Sequence, residues 1–173
     1  EPRKLLLVSF HASSNKPHRH CAIEAFKKLR GSWITTTVLP TEDRDGYLRL
    51  LQDHSFVACP PGHGYDTHRV WEVLLAGAYP VVVSTPLDSM YDGLPVLIVK
   101  DWSELSETML TQARQVFRHR EWNTRKMFFP WWRDVVARVA KESPFFPVST
   151  AALRDLSADR RRNPCGGLDD YVA

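Results

Sequence analysis

The residues best suited to chemistry cluster between positions 60 and 72. Pro60-Pro61-Gly62-His63-Gly64-Tyr65-Asp66-Thr67 leads directly into His68-Arg69-Val70-Trp71-Glu72, a glycine-bearing loop followed by a helical pattern. Gly62 and Gly64 let the backbone approach a ligand closely, and Asp66 or Thr67 supplies a side-chain cap for the helix. A helix start points unpaired N–H groups and the positive end of a dipole at whatever lies there, which favours phosphate. The loop is neither Walker A nor a dinucleotide fingerprint, because no Lys-Ser/Thr follows and the glycine spacing differs from G-x-G-x-x-G. Arg69, in the first turn, opposes the helix dipole at a cost of a few tenths of a kcal/mol. That placement makes sense if an anion occupies the same corner. Glu72, three residues on, shares its helix face. Two readings stand side by side. One is a surface ion pair worth about 0.3 kcal/mol; the other is a paired reader, with Arg69 on phosphate and Glu72 accepting from vicinal hydroxyls such as a ribose diol.

Other reactive side chains offer less. His11, His18 and His20 crowd one segment beside Cys21, and His63 and His68 another, but only His18-x-His20 has compact spacing. A zinc site needs four ligands in good geometry, so no metal site is expected. His63 reads as a polar group facing a ligand or as a plain loop residue. Cys59 lies within a strand pattern and reads as a small buried hydrophobe rather than a nucleophile. Trp122, Phe128, Phe129, Trp131 and Trp132 read as core at helical spacing, as a sugar-stacking platform, or as an exposed domain interface.

The elements that must position these residues alternate. KLLLVSF (4–10), WITTTVL (33–39), FVACP (56–60), YPVVVS (79–84) and PVLIV (95–99) are apolar, β-branched runs of strand length. Helical patterns fall at 22–30, with Gly31 as a C-cap, and after Thr41, which caps an acidic first turn Glu42-Asp43 before Tyr47, Leu48 and Leu51. A third runs from 67 to 77, with Val70, Val73, Leu74 and Gly77 as its packing stripe. Asp101 and Glu104 frame a capping-box-like start for a helix carrying Leu105, Met109, Ala113, Val116 and Phe117. A last stretch covers 121–142, where Pro130 marks a break or a new first turn. Five buried strands alternating with helices predict a parallel sheet covered on both faces, a Rossmann-like α/β domain over residues 1–145. Residues 146–173 read as a loosely structured tail.

Composition sets outer limits. The chain has 173 residues, 43% of them hydrophobic and 25% charged, which excludes wholesale disorder and fibrous repeats. No apolar run approaches the roughly 20 residues of a membrane-spanning helix. The net charge of +3 is too small to imply a nucleic-acid partner. The basic excess lies in the C-terminal third and includes Arg160-Arg161-Arg162, a run that usually belongs to a solvated tail. Cys21, Cys59 and Cys165 cannot all pair within the chain, and they neither demand nor exclude an oxidising compartment. The start at Glu1, without Met, reads as a cut or processed fragment.

Residues 56–84, FVACPPGHGYDTHRVWEVLLAGAYPVVVS, resemble the nucleotide-sugar-binding core of GT-B glycosyltransferases, the exostosin-like group above all. The group's pattern is Phe-x-x-x-Pro-x-Gly, a short variable stretch, Arg-x-x-Glu-Ala, then Gly-x-x-Pro-Val. Phe56, Pro60, Gly62, Arg69, Glu72, Gly77, Pro80 and Val81 match it, while Val73 replaces the alanine. A weaker likeness in element order runs from 4 to 145. The resemblance implies a donor-binding domain, with Gly62, His63, Gly64, Tyr65, Asp66, Thr67, Arg69 and Glu72 around a nucleoside-diphosphate sugar. It implies transfer without a metal or other cofactor, basic side chains and helix dipoles neutralising the leaving diphosphate. Arg19, in a polar loop spanning 11–20, is then a second phosphate-binding cation; a solvent-exposed Arg19 is the alternative. The implied partners are a glycan or glycoconjugate acceptor and an N-terminal acceptor domain of a parent chain in the Golgi lumen or secretory pathway. No catalytic base is assigned. A non-catalytic nucleotide or sugar-phosphate binding module, and another GT-B enzyme such as a sugar-nucleotide epimerase, are the competing readings.

Overall fold

A computed structural model describes residues 3–13, 15–38 and 43–142. Strand β1 (Lys4–Val8) is followed by helix α1 (Lys16–Lys28), β2 (Ile34–Thr36) and α2 (Arg44–Asp53). Next come β3 (His54–Ala58), α3 (His68–Leu75), β4 (Tyr79–Val83), β5 (Leu97–Val99), α4 (Glu107–His119) and α5 (Phe129–Glu142). The five strands form one sheet in the order β2-β1-β3-β4-β5, and every pairing is parallel. This is the Rossmann-like arrangement the alternating pattern predicts.

Strand alternation feeds two cores. Leu6, Val8, Phe56, Ala58 and Val81 face α1 and α4, where they meet Phe26, Trp102 and Leu110. Leu7, Val57, Cys59 and Val82 face α2 and α3, where they meet Leu51, Val70, Val73 and Leu74. A side-chain period of two is what lets one short apolar strand serve both faces. Cys59 is the buried hydrophobe expected of it, and burial pushes its thiol up to about 12.

Several boundaries differ from the sequence expectation. The segment 16–20 is helical, not loop, because Pro17 sits in the first turn of α1, where its missing N–H costs nothing. Gly31 does not cap α1, which ends at Lys28 with Leu29 extended. Instead Gly31 takes φ +130°, and a Cβ there would lie 2.4 Å from the Trp33 ring. The expected Thr41 cap lies outside the described residues; Asp43 caps α2 by accepting from the Gly46 N–H at 2.9 Å. Asp101 and Glu104 frame only a single 3-10 turn, Trp102–Glu104, and α4 begins later, capped by Ser106 through the Met109 N–H at 3.2 Å. Pro130 falls in the first turn of α5. The tail at 146–173 lies outside the described residues.

The aromatic group at 122–132 divides. Trp122 donates to the Phe117 carbonyl and Trp132 to that of Lys126, which ties both rings to the domain. Phe128 and Phe129 stay exposed, at 54% and 77%. Among the described residues no helix is long and apolar enough to cross a membrane.

Candidate functional site

Leaving β1 the chain moves to one side of the sheet, to β2; leaving β3 it moves to the other, to β4. The carboxyl ends of β1 and β3 therefore flank the topological switch point, the crevice where open α/β sheets bind ligands. Helices α1 and α3 both start there. Their cap residues are Asn15, in the left-handed region at φ 46°, and Thr67, and neither supplies a side-chain hydrogen bond to its helix. By contrast, α2 and α4, which start elsewhere, are capped by Asp43 and Ser106. The cap expected from Asp66 or Thr67 is thus absent. Asp66 accepts from Trp71 Nε1 at 2.9 Å instead, and Thr67 Oγ1 is buried without a partner.

Two arginines enter this crevice, one from each helix's first turn. Arg19 is 8% exposed, so the solvent-exposed alternative fails. Its Nε donates to the Pro61 carbonyl at 3.1 Å and its Nη1 to the His11 carbonyl at 2.6 Å, linking the two loops. Arg69 Nη1 donates to the Ser9 carbonyl at 2.6 Å and to the Tyr47 hydroxyl at 3.1 Å. Neither guanidinium has a carboxylate within ion-pair reach among the described residues. Burial, and then repulsion from Arg69, lowers the Arg19 pKa below its ordinary value, although an arginine stays charged. Two like charges sit in one corner, hydrogen-bonded to carbonyls and a phenol rather than to a carboxylate.

Glu72 does not pair with Arg69. Its Oε1 accepts from Arg44 Nη1 at 2.8 Å, with the carboxylate 19% and the arginine 60% exposed. Arg44 and Tyr47 stand one turn apart on α2, and the Tyr47 ring lies under both the Arg69 and Arg44 guanidinium groups, 5.3 and 6.0 Å from its centroid. Burial pushes the Tyr47 phenol up to about 12, so it stays neutral. Ser9, Arg44, Tyr47, Arg69 and Glu72 line a cleft of about 160 Å³. Ser9, Arg44 and Tyr47 were not legible as site residues: Tyr47 reads as part of an apolar helix face, and nothing local marks Arg44.

The loop itself separates three spaces. Gly62 is buried, and a Cβ on it would touch Arg19 Nη2 at 3.5 Å, so the glycine lets the guanidinium lie against the backbone. Gly62, His63, Gly64 and Tyr65, with Asn15 and His18, border a cleft of about 230 Å³. His63 and Gly64 are exposed. His18 meets the Tyr65 ring edge-on at 6.3 Å, and burial lowers its pKa. A groove of about 570 Å³ lies beyond, between α1 and the carboxyl ends of β4 and β5.

Among the described residues no three His, Cys, Asp or Glu side chains gather to hold a metal. The raised, core-facing Cys59 thiol is no nucleophile. What the corner can do is bind an anion. No family model matches the chain, and no curated protein matches it significantly in sequence.

Proposed function

We propose that this domain binds the nucleoside-diphosphate sugar of a glycosyltransferase, which transfers the sugar to a glycan or glycoconjugate acceptor held by another domain. One observation carries the reading: Arg19 and Arg69 converge on the switch point from two helix starts that lack side-chain caps, and neither has a carboxylate within ion-pair reach among the described residues. The N–H groups and both arginines take the diphosphate, and in transfer they stabilise the negative charge that builds on the leaving group. Glu72, whose Oε1 is held by Arg44, accepts from the ribose hydroxyls through Oε2. The resemblance of residues 56–84 to the exostosin-like core supports this assignment of sugar chemistry over other diphosphate ligands.

Calorimetry tests it in EDTA, without divalent cations. Nucleoside diphosphate is expected to bind there, and loss of all binding in EDTA would refute the metal-free reading. Charge-assisted hydrogen bonds are worth roughly 1.5–3 kcal/mol each, so Glu72→Gln should weaken nucleoside and nucleoside diphosphate alike, by about one to two orders of magnitude. Arg69→Lys should weaken only the diphosphate, because a lysine lacks the guanidinium fork. A folded Glu72→Gln variant that binds like the wild type makes Glu72 merely the partner of Arg44.

A further inference from the structure

We infer that Phe128, Phe129 and the exposed side of α5 rest on an anionic lipid surface. Among the described residues seven large apolar side chains stay exposed, and four of them stand here: Phe128, Phe129, Val136 and Val139. Phe129, Arg133 and Val136 follow at i, i+4 and i+7, so they share one side of the helix. Trp131, Trp132 and Val135 are half-buried on another side. There the Trp132 ring meets Trp71 at 6.3 Å, and its Nε1 donates to the Lys126 carbonyl at 2.8 Å. The domain thus grips α5 by its tryptophan side and leaves the Phe129 side to solvent.

Charge gathers at the same place. Residues 114–138 hold seven Lys or Arg against two carboxylates, Glu121 and Asp134, while the whole chain carries only +3. The rest of the chain is therefore slightly acidic. Arg125, Arg133 and Arg138, which bracket the phenylalanine pair in sequence, are all exposed. Asp134 takes up Arg133 at 2.9 Å, but Arg125 and Arg138 have no ion-pair partner among the described residues. Size decides between occupants. Four partly exposed side chains fall short of the about 800 Å² that each partner gives to a standard protein interface. Two phenylalanines with a cationic rim suit a bilayer: the rings enter the headgroup boundary while the cations meet anionic lipids. Long arginine stems let the guanidinium groups reach those headgroups from beside the apolar side chains. None of this depends on which ligand fills the crevice after β1 and β3.

Co-sedimentation of the full chain with vesicles tests this, comparing phosphatidylcholine alone with phosphatidylcholine containing about one third phosphatidylserine. Binding to the anionic vesicles is expected to be about tenfold stronger or more, and to fall about fivefold or more in about 0.5 M salt. Phe128→Ser combined with Phe129→Ser keeps every charge and, at exposed positions, should leave the urea midpoint unchanged. This variant should lose about tenfold or more of the vesicle binding. Arg133→Gln combined with Arg138→Gln should lower the preference for anionic vesicles about threefold or more. If the serine variant binds like the wild type, charge elsewhere in the chain carries the contact and the inference is overturned. The same holds if the wild type shows no preference for phosphatidylserine, which leaves this face to a protein partner. A dimer seen by sedimentation velocity without vesicles, and broken in the serine variant, gives the face to a second copy and overturns the inference too.

Discussion

The corner after β1 and the corner after β3 are near mirror images across the switch point, yet their arginines are anchored differently. Each ends a buried strand, opens an uncapped helix and presents a first-turn arginine. Arg69 reaches its own strand's neighbour, anchoring on the Ser9 carbonyl and on Tyr47 of α2. Arg19 ties both loops together, through His11 on its own side and Pro61 on the other. Both arginines therefore tie the two corners together; Arg19 is the more deeply buried, and Arg69 is the one that also reaches α2.

The largest expected effects separate those roles. Arg19→Gln and Arg69→Gln should each lower inorganic pyrophosphate affinity by roughly 10- to 100-fold, the loss of about one charge-assisted bond. Both should also cost stability in urea unfolding, Arg19→Gln the more, about 1–3 kcal/mol, because it leaves the buried Pro61 carbonyl unpaired. If the two corners grip one ligand together, the double variant loses less affinity than the sum of the singles. Additive losses would mean two separate anion sites.

A smaller effect is expected from Gly62→Ala. The added methyl meets Arg19 and Thr67 at ordinary contact distances, 3.5 and 3.4 Å. The fold should tolerate it, while pyrophosphate affinity drops by about threefold to tenfold as the crowded guanidinium shifts. Unchanged affinity would move the ligand away from this loop.

Legibility follows the same division. The β3–α3 corner could be read because glycine, arginine and glutamate lie within one short segment, and local spacing is all that a single sequence displays. The β1–α1 corner could not. HASSNKPHRH reads as polar loop, and the meaning of Arg19 depends on Pro61, 42 residues away. Arg44 was missed for the same reason: its partner Glu72 is 28 residues on. The five strands were legible throughout because apolar runs of strand length are a local signal. Helix starts misled where two cap patterns overlapped, Asp101 with Glu104 against Ser106; Leu105 between them is buried and extended, which separates the 3-10 turn from α4.

Capping offers a finer contrast. Ser106→Ala removes a real cap and should cost about 1 kcal/mol, whereas Thr67→Ala removes none and should cost well under half of that in the same urea titration. An equal penalty would show that Thr67 caps α3 in solution.

The smallest effect concerns acidity. Burial lowers the pKa of His18, beside the first corner, and of His54, at the start of β3, below 6.5. The folded state then binds fewer protons than the unfolded chain, so stability is full above about 6.5 and declines as the pH falls below it. Saturating pyrophosphate should offset the His18 share of that decline, since an adjacent anion favours the imidazolium. It should leave the His54 share intact. Urea midpoints at neutral pH and about pH 5.5, for wild type and His18→Asn, measure both shares. An offset that survives in His18→Asn would place the anion elsewhere.

Helix α3 is held at both ends. Arg69 and the Asp66–Trp71 bond fix its start. At its finish Gly77, at φ 72°, donates to the Leu74 carbonyl, and Ala78 donates to that of Val73, the paired bonds of a Schellman turn. A rod so fixed has one length. Adding a single residue between Arg69 and Gly77 would turn everything beyond it by about 100°, given 3.6 residues per turn. Either Glu72 or the apolar stripe would then face the wrong way. Homologous chains that keep this corner should therefore vary in residue type along α3 but not in its residue count, while the neighbouring loops lengthen and shorten freely.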